Sequence, residues 1–335
     1  MTVLVGTHER YLDHLAGAHH PEAPERLAAV LAGVGRAERE ADVELVAFTP
    51  RPATSAELAA VHPEPYLQRL EAFCRAGGGA IDADTSAVPA SWDAAVLAAG
   101  AGPDAVERLT AGEADAAFLA VRPPGHHATP EVPMGFCLLN NIAVTAMALA
   151  GRGERVLIVD WDAHHGNGTQ DAFYADGRVA FVSMHQWPLY PGTGAAGETG
   201  RDAGAGLTVN LPFPARAPGD VYRAALAGVV DRLADSFGPT WVLLSAGFDS
   251  HRADPLASLG LSAGDYADLT RRVVELVPPG RRIAILEGGY DLDALELSTA
   301  ACVAALGGAE LRPEPVTTGE RGIEVVEACE RRLTG

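Results

Sequence analysis

Metal-binding side chains follow a short apolar stretch in the middle of the chain. The stretch covers residues 156–159, and Asp160, Asp162, His164 and His165 come directly after it. An aliphatic run without polar alternation is typical of a parallel strand that is buried on both faces. Carboxylates and imidazoles are costly to bury at this density unless a divalent cation balances them. The segment therefore predicts a buried strand that ends in a metal site.

Three other apolar stretches also end in polar side chains. Residues 116–121 lead to His126 and His127, residues 241–247 lead to Asp249, and residues 282–286 lead to Tyr290. In open parallel α/β sheets, ligands bind in the crevice outside the carboxyl ends of the strands. We therefore expect all four segments to meet at one crevice.

Asp162, His164 and Asp249 could together bind one metal ion. Two carboxylates and one imidazole leave a coordination position open for water and substrate, as in catalytic zinc sites. A metal in such a site polarises a carbonyl group and lowers the pKa of water from ~15.7 to ~7. The same three ligands would also accept iron(II) or cobalt. An open site of this kind indicates hydrolysis.

The remaining polar groups could supply proton transfer. His126 and His127 are candidates for a general base, and Tyr290 could donate a hydrogen bond to a developing oxyanion. Asp160 and Asn167 are candidates for fixing the imidazole tautomers. We assign no partner to the other histidines and expect most of them to be structural: His8, His14, His19, His20, His62, His165, His185 and His251.

Composition narrows the class of protein. The chain has 335 residues and a net charge of -19, which argues against binding nucleic acid or an anionic membrane and fits a cationic substrate. Its four cysteines include no CxxC pair, so we expect reduced thiols. The absence of a signal-peptide pattern and of a long apolar span predicts a cytoplasmic protein. Composition does not change along the chain, so we expect one domain over residues 1–335.

Strand-like and helix-like segments alternate along the chain. Strands are predicted at residues 2–5, 43–48 (an edge strand), 116–121, 156–159, 179–184, 207–211, 241–247 and 282–286. Helices are predicted at residues 24–40, 55–61, 65–75, 91–110, 141–150, 221–237, 266–277, 292–306 and 322–333. Gly102 and Pro103 could interrupt the fourth helix. The glycine-rich residues 191–206 predict a functional or mobile loop.

Six motifs in the chain carry a family resemblance. They are HHPEAPERL at 19–27, RPPGHHA at 122–128 with MGFC at 134–137, DWDAHHGNGTQ at 160–170, PGTG at 191–194, SAGFD at 245–249 and EGGY at 287–290. Together they resemble the zinc-dependent histone deacetylases and acetylpolyamine amidohydrolases, in particular their class II branch. The resemblance implies the arginase/deacetylase fold: one open, mostly parallel α/β sheet flanked by helices, with the active site at the strand carboxyl ends. It also implies a deacetylase that removes acetyl or short acyl groups from lysine side chains of proteins or peptides.

The resemblance also implies roles for individual residues. One catalytic zinc ion would be bound by Asp162, His164 and Asp249; the acid/base pair would be His126 and His127, backed by Asp160 and Asn167; Tyr290 would polarise the scissile carbonyl. One or two structural potassium ions would be bound by Asp160, Asp162, His164, Ser183 and Met184, and by Phe173 and Val179. Substrate would contact Asp84, Gly135, Phe136, Tyr190, Leu256, Gly288 and Gly289, and Arg26 would lie in the product channel.

Departures from the family pattern leave several functions open. Gly166 and His251 stand where the arginase branch has carboxylates for a second metal, which disfavours a binuclear site. Leu256 stands where polyamine-specific relatives have a glutamate, which favours acyl-lysine in a peptide or protein. Other carboxylates, such as Glu22, Asp84 and Glu131, could flank the channel mouth, so acetylpolyamine hydrolysis is the first alternative and hydrolysis of another small amide is the second. A catalytically idle binding protein and a homo-oligomer also remain open.

Overall fold

Ten strands occur in the computed structural model, which describes residues 1–334. They are β1 (Thr2–Gly6), β2 (Glu44–Phe48), β3 (Gly79–Ala80), β4 (Ser86–Ala87), β5 (Ala116–Leu119), β6 (Val156–Asp160), β7 (Val179–Gln186), β8 (Thr208–Phe213), β9 (Trp241–Ala246) and β10 (Arg282–Leu286). β3 and β4 form a small antiparallel hairpin. The other eight form one sheet in the order β2-β1-β5-β10-β9-β6-β7-β8.

The helices lie between the strands along the chain. They are α1 (Glu25–Ala41), α2 (Ser55–Ala59), α3 (Glu64–Arg75), α4 (Ser91–Thr110), α5 (Asn141–Ala150), α6 (Asn167–Phe173), α7 (Gly219–Ala225), α8 (Asp231–Phe237), α9 (Ala263–Val274), α10 (Leu292–Leu306) and α11 (Ile323–Thr334). A π-helical segment, Leu226–Val230, joins α7 to α8. α1 packs on α10, α10 packs on α9, and α4 packs on α5.

Every strand pairing in the large sheet is parallel. β5, β6, β9 and β10 occupy central positions and are buried along their whole length. β2 and β8 are the outer strands, so the prediction of an edge strand at β2 is confirmed. The observed architecture also confirms the predicted open α/β sheet flanked by helices. The four strands that carry polar termini are neighbours in the sheet, so their carboxyl ends open onto one crevice.

The structure differs from the sequence predictions in several places. α4 continues through Pro103, and its Gly102 packs directly against the Thr145 side chain of α5. α9 begins at Ala263, three residues earlier than predicted, where Ser262 and Asp265 form a capping box. The short helix α6 and the hairpin β3–β4 were absent from the prediction. The predicted helix over residues 221–237 contains the π-helical segment.

Candidate active site

Asp162, His164 and Asp249 meet at the carboxyl ends of two adjacent strands. Asp162 and His164 follow β6, Asp249 follows β9, and these strands pair with Asp160 opposite Ser245. One potential ligand atom from each of the three residues lies within 4.8 Å of the other two. His164 Nδ1 is 3.2 Å from Asp162 Oδ1 and 3.0 Å from Asp249 Oδ2. The sheet register thus brings two oxygen donors and one nitrogen donor to one point.

Backbone N–H groups orient the two carboxylates. Ala163 N donates to Asp249 Oδ1 at 2.7 Å, and Gly288 N donates to Asp162 Oδ2 at 2.9 Å. A Cβ atom at residue 288 would collide with oxygens of both carboxylates, so this close approach requires glycine. Burial, reinforced by the charge of Asp162, raises the pKa of Asp249 to about 7. The donor set and the mutual repulsion of the carboxylates fit a divalent cation, which would offset that repulsion.

The two histidines of the imidazole pair have different partners. His126 Nδ1 lies 3.0 Å from Asp160 Oδ2, whereas His127 Nδ1 lies 2.7 Å from Asn167 Oδ1. Asn167 Nδ2 donates to the His127 carbonyl at 3.3 Å, which fixes the amide with its oxygen toward the ring. His127 must then donate from Nδ1, so its Nε2 is a proton acceptor. A carboxylate behind one ring and an amide behind the other give the two rings different proton affinities.

The pKa values of the pair move in opposite directions. Burial lowers the pKa of His126, but the carboxylates of Asp162 and Asp160 outweigh it and raise that pKa well above its usual range. Burial lowers the pKa of His127 well below its usual range, and the charges of His126 and His164 act in the same direction. His127 is therefore the neutral imidazole of the pair.

Tyr290 lies beside the imidazole pair at the end of β10. Its backbone N–H donates to Asp254 Oδ2 at 2.8 Å, and the Arg26 guanidinium lies 4.9 Å from the centre of its ring. Burial raises the pKa of the Tyr290 phenol well above its usual range, although Arg26 opposes this shift. The phenol therefore keeps its proton near neutral pH and can donate a hydrogen bond.

A cavity of about 220 Å³ opens above these groups. It is lined by Asp84, Pro124, His126, His127, Gly135, Phe136, His164, Leu189, Tyr190, Leu256, Gly288 and Tyr290. Six of the seven residues predicted to contact substrate are in this set, and Gly289 is not: its carbonyl accepts from Arg26 Nε at 2.7 Å. The sequence analysis missed Pro124, which lies two residues before His126, and Leu189, which adjoins Tyr190. Phe136 and Tyr190 give the cavity aromatic walls.

Arg26 is buried behind Tyr290 rather than along this cavity. Besides the bond to Gly289, it donates to the Glu287 carbonyl at 2.5 Å and to Glu22 Oε1 at 3.2 Å. Arg122 also binds Glu22, with Nε 2.5 Å from Oε1 and Nη2 2.7 Å from Oε2. We call Glu22, Arg26 and Arg122 the arginine cluster. The sequence analysis missed its central carboxylate as a structural group and placed Glu22 among possible mouth residues.

The residues predicted to bind potassium lie around β6 and β7. Ser183 pairs with Asp160 across these strands, and Tyr222 donates to the Met184 carbonyl at 3.4 Å. Phe173 ends α6 and Val179 begins β7, and both are buried. Ser183 and Met184 thus lie on the strand next to β6, which leads to Asp162 and His164, whereas Val179 is at the start of β7 and Phe173 at the end of α6.

Most of the remaining histidines have structural partners. His14 contacts Ser91, His62 contacts the Pro130 carbonyl, and His251 contacts Glu314. His165 and His185 help to anchor the glycine-rich loop at residues 191–206, through Thr193 and the Gly194 carbonyl. All four cysteines are buried and free. Within residues 1–334, no helix has the length and apolarity needed to cross a membrane.

At the carboxyl ends of the parallel strands, a buried Asp-His-Asp cluster that could hold a metal ion thus lies next to a cavity lined by paired imidazoles and a phenol. Comparison with known proteins identifies the family: residues 20–306 match the histone deacetylase domain, and the chain belongs to the histone deacetylase family. The resemblance inferred from the six motifs is confirmed. Members of this family act on acetylated amides, so membership supports hydrolase activity.

Individual relatives agree with this assignment. The chain is 41% identical to a probable deacetylase of Archaeoglobus fulgidus, across 91% of this chain and 86% of that protein. It is 38% identical to a histone deacetylase-like amidohydrolase of Pseudomonas aeruginosa, across 82% of this chain and 73% of that protein. It resembles the crystal structure of the HDA15 HD domain with a TM-score of 0.90 and 35% identity, covering 99% of this chain and 94% of that one.

Proposed function

We propose that this protein is a zinc-dependent amidohydrolase that removes acetyl or short acyl groups from lysine side chains of peptides or proteins. The observation that carries the proposal is that the Asp162, His164 and Asp249 cluster reaches, through His164, the cavity that His127 and Tyr290 also line. When bound to these three residues, zinc would polarise the substrate carbonyl and acidify water. Side chains of the protein would carry out proton transfer, donate a hydrogen bond to the carbonyl oxygen and orient the substrate.

The imidazole pair would divide the proton transfers. His127 has its Nδ1 engaged by Asn167, so its Nε2 would accept a proton from the attacking water. Asp160 would stabilise the protonated form of His126, whose ring centre lies 4.1 Å from that of His127. The pair would therefore hold a proton close to the amine nitrogen that leaves. Replacing the amide by a carboxylate at residue 167 would make the two rings more alike and weaken this division.

The phenol and the channel would orient the substrate. Tyr290 keeps its proton and would donate it in a hydrogen bond to the oxygen that gains negative charge. Phe136 and Tyr190 would contact the methylene chain of an acyl-lysine side chain, and Leu256 and Leu189 would exclude water around it. We further propose that the predicted residues bind potassium and that the chain forms a single domain. We also propose a cytoplasmic location, which the buried free thiols support.

Acetylpolyamine hydrolysis is the second candidate. Asp84 lines the cavity, and its charge together with that of Asp82 acts on the Tyr190 phenol, so two carboxylates lie near the mouth. Such groups would attract the free ammonium of an acetylated polyamine, as would the net charge of -19. Leu256, which cannot pair with an ammonium group, supports the peptide substrate instead.

The ratio of kcat/KM for an acetyl-lysine peptide to kcat/KM for acetylputrescine and acetylspermidine tests the proposal. Metal-loaded protein would be assayed with the Tyr290→Phe variant as the blank. We expect a ratio well above one. A ratio well below one would assign the protein to acetylpolyamines. Bound zinc without turnover of any acetylated amine would indicate a binding protein.

A further inference from the structure

Glu287 is a fully buried carboxylate that binds backbone atoms of the imidazole-pair loop. It follows β10 directly, three residues before Tyr290, and is 0% exposed. Its Oε2 accepts from Gly125 N at 2.7 Å and from His126 N at 3.1 Å. These two amides belong to the loop after β5, a different strand from the one that carries Glu287. One side-chain oxygen thus connects the imidazole pair to the segment that ends in Tyr290.

The backbone around Glu287 makes two further connections. Its N–H donates to the Ala246 carbonyl at 3.2 Å, three residues before the ligand Asp249. The next amide, Gly288 N, donates to Asp162 Oδ2 at 2.9 Å. Residues 287 and 288 therefore form hydrogen bonds to the loops after β5 and β6 and to the end of β9, and Tyr290 follows two residues later. These bonds hold the imidazole pair, the candidate metal ligands and the phenol at fixed relative positions.

The second carboxylate oxygen has no comparable role. Glu287 Oε1 is buried and has no hydrogen-bond partner among the residues that the structure describes. The contacts with the imidazole-pair loop therefore need one acceptor oxygen at a defined distance from the backbone. An aspartate would withdraw that oxygen by one methylene, about 1.5 Å. A glutamine would keep an acceptor oxygen in place without the negative charge.

We propose that Glu287 is a positioning residue, whose Oε2 sets the distance between the imidazole pair and the Tyr290 phenol through the amides of Gly125 and His126. The inference rests on the proposed hydrolase function for its kinetic consequences. Glu287 itself would exchange no proton with the substrate. Its contribution is geometric, because small displacements of reacting groups reduce turnover strongly.

Two substitutions distinguish the length of the side chain from its charge: Glu287→Asp shortens the side chain, and Glu287→Gln removes the charge. We expect Glu287→Gln to keep kcat within about 3-fold of the original protein, because the acceptor oxygen stays in place. We expect Glu287→Asp to lower kcat by about 10- to 100-fold with little change in KM and in bound zinc, as for loss of a supporting contact behind a site. Glu154→Asp, at a remote ion pair with Arg281, is the matched control and should leave kcat unchanged. An active aspartate variant with an inactive glutamine variant would overturn the proposal.

Hydrogen exchange at the amides of Gly125 and His126 provides a readout that needs no turnover. Both amides should exchange faster in Glu287→Asp, and at the original rate in Glu287→Gln and Glu154→Asp. If the protein hydrolysed no acetylated amide, the proposed function would fail, while this measurement would still decide the role of Glu287. Equal exchange in all variants would refute positioning.

Discussion

Two buried clusters of charge lie within the same region of the molecule and are balanced in different ways. In the arginine cluster, Glu22 is bound by two guanidinium groups, so the chain supplies its own cations. In the candidate metal cluster of Asp162, His164 and Asp249, the two carboxylates share His164, and His126 Nε2 lies 3.7 Å from Asp162 Oδ1, so the counter-charges are imidazoles. Burial of both clusters is nearly complete, so hydration does not explain the difference. Guanidinium charges are permanent, so the arginine cluster maintains the structure, whereas imidazolium groups can give up their protons when a metal ion binds.

The pKa values of the carboxyl groups record the same contrast. Burial alone would raise the pKa of Glu22, but the hydrogen bond from His14 and the charge of Arg122 outweigh it and hold the pKa well below its usual range. In the metal cluster the pKa of Asp249 is instead raised to about 7, by burial and by its acidic neighbour. Burial would also raise the pKa of the neighbouring Asp162, but His126 and His164 outweigh it and hold that pKa well below its usual range. Equal burial thus gives opposite shifts, according to the charges that lie beside each carboxylate.

Asp249→Asn should have the largest effect on function. Zinc content and activity should both fall to the level of the metal-free protein, because one charged ligand is lost. The unfolding free energy of the metal-free variant should be close to that of the metal-free original, because the loss of repulsion with Asp162 offsets the loss of the ion pair with His164. Zinc at 100 times its Kd should stabilise the original protein by about 2.7 kcal/mol and the variant by nothing. Zinc titration followed by thermal unfolding measures both; a variant that retained zinc would remove Asp249 from the ligands.

Arg122→Met should have the largest effect on stability. It leaves Glu22 with one guanidinium fewer, and breaking a buried ion pair in this way costs about 3–5 kcal/mol. Chemical denaturation of the metal-free protein measures the loss. Arg36→Met, which removes exposed ion pairs with Glu40 and Glu296, is the control and should change the unfolding free energy by about 1 kcal/mol or less. Similar losses in both variants would contradict the assignment of a structural role to the arginine cluster.

Tyr290→Phe should lower activity without affecting either the ion pairs of the arginine cluster or metal binding. The ring and its contact with Arg26 remain, so stability and zinc content should not change, while kcat falls by about 10²–10³ with loss of one oxyanion donor. Steady-state kinetics with zinc analysis measure this split. Tyr11→Phe removes a buried hydroxyl that has no partner among residues 1–334 and should leave kcat unchanged. Full activity in Tyr290→Phe would exclude the phenol from the chemistry.

Glu22→Gln should have the smallest of these effects on pH dependence, a change in how steeply the unfolding free energy falls at acid pH. Because the pKa of Glu22 is depressed in the folded protein, its stabilisation is fully present above the unfolded value of about 4.3 and is lost as pH falls through the folded pKa. The unfolding free energy of Glu22→Gln should therefore depend less steeply on pH below about 5. Denaturation curves between pH 5 and 3 measure the slope. An unchanged slope would show that another carboxylate controls acid unfolding.

The sequence predicts that the candidate metal ligands meet, because these residues follow the ends of recognisable strands. Apolar runs identify β5, β6, β9 and β10, and parallel pairing then places Asp162, Asp249 and Tyr290 together. The same reasoning predicts most helices. It fails for the start of α9, although the capping pair Ser262 and Asp265 is visible in the sequence.

The arginine cluster is not predictable in the same way. Glu22 and Arg122 are far apart in sequence, and both lie in loops whose paths no periodic pattern determines. Arg26 faces inward from the amphipathic helix α1, so its burial depends on the packing of α1 against α10. α6 was also missed, because its seven residues begin inside the metal-site motif and carry too few turns for a periodic signal.

The order of strands in the sheet also governs when the site can first exist during synthesis. Among the strands within residues 1–334, β10 is the last to be made, yet it lies in the middle of the sheet between β5 and β9. Until residue 290 has left the ribosome, β5 and β9 have no shared neighbour, and their facing edges are unpaired. A nascent chain can therefore form both outer parts of the sheet early, but it completes its catalytic centre only in a late, long-range folding step.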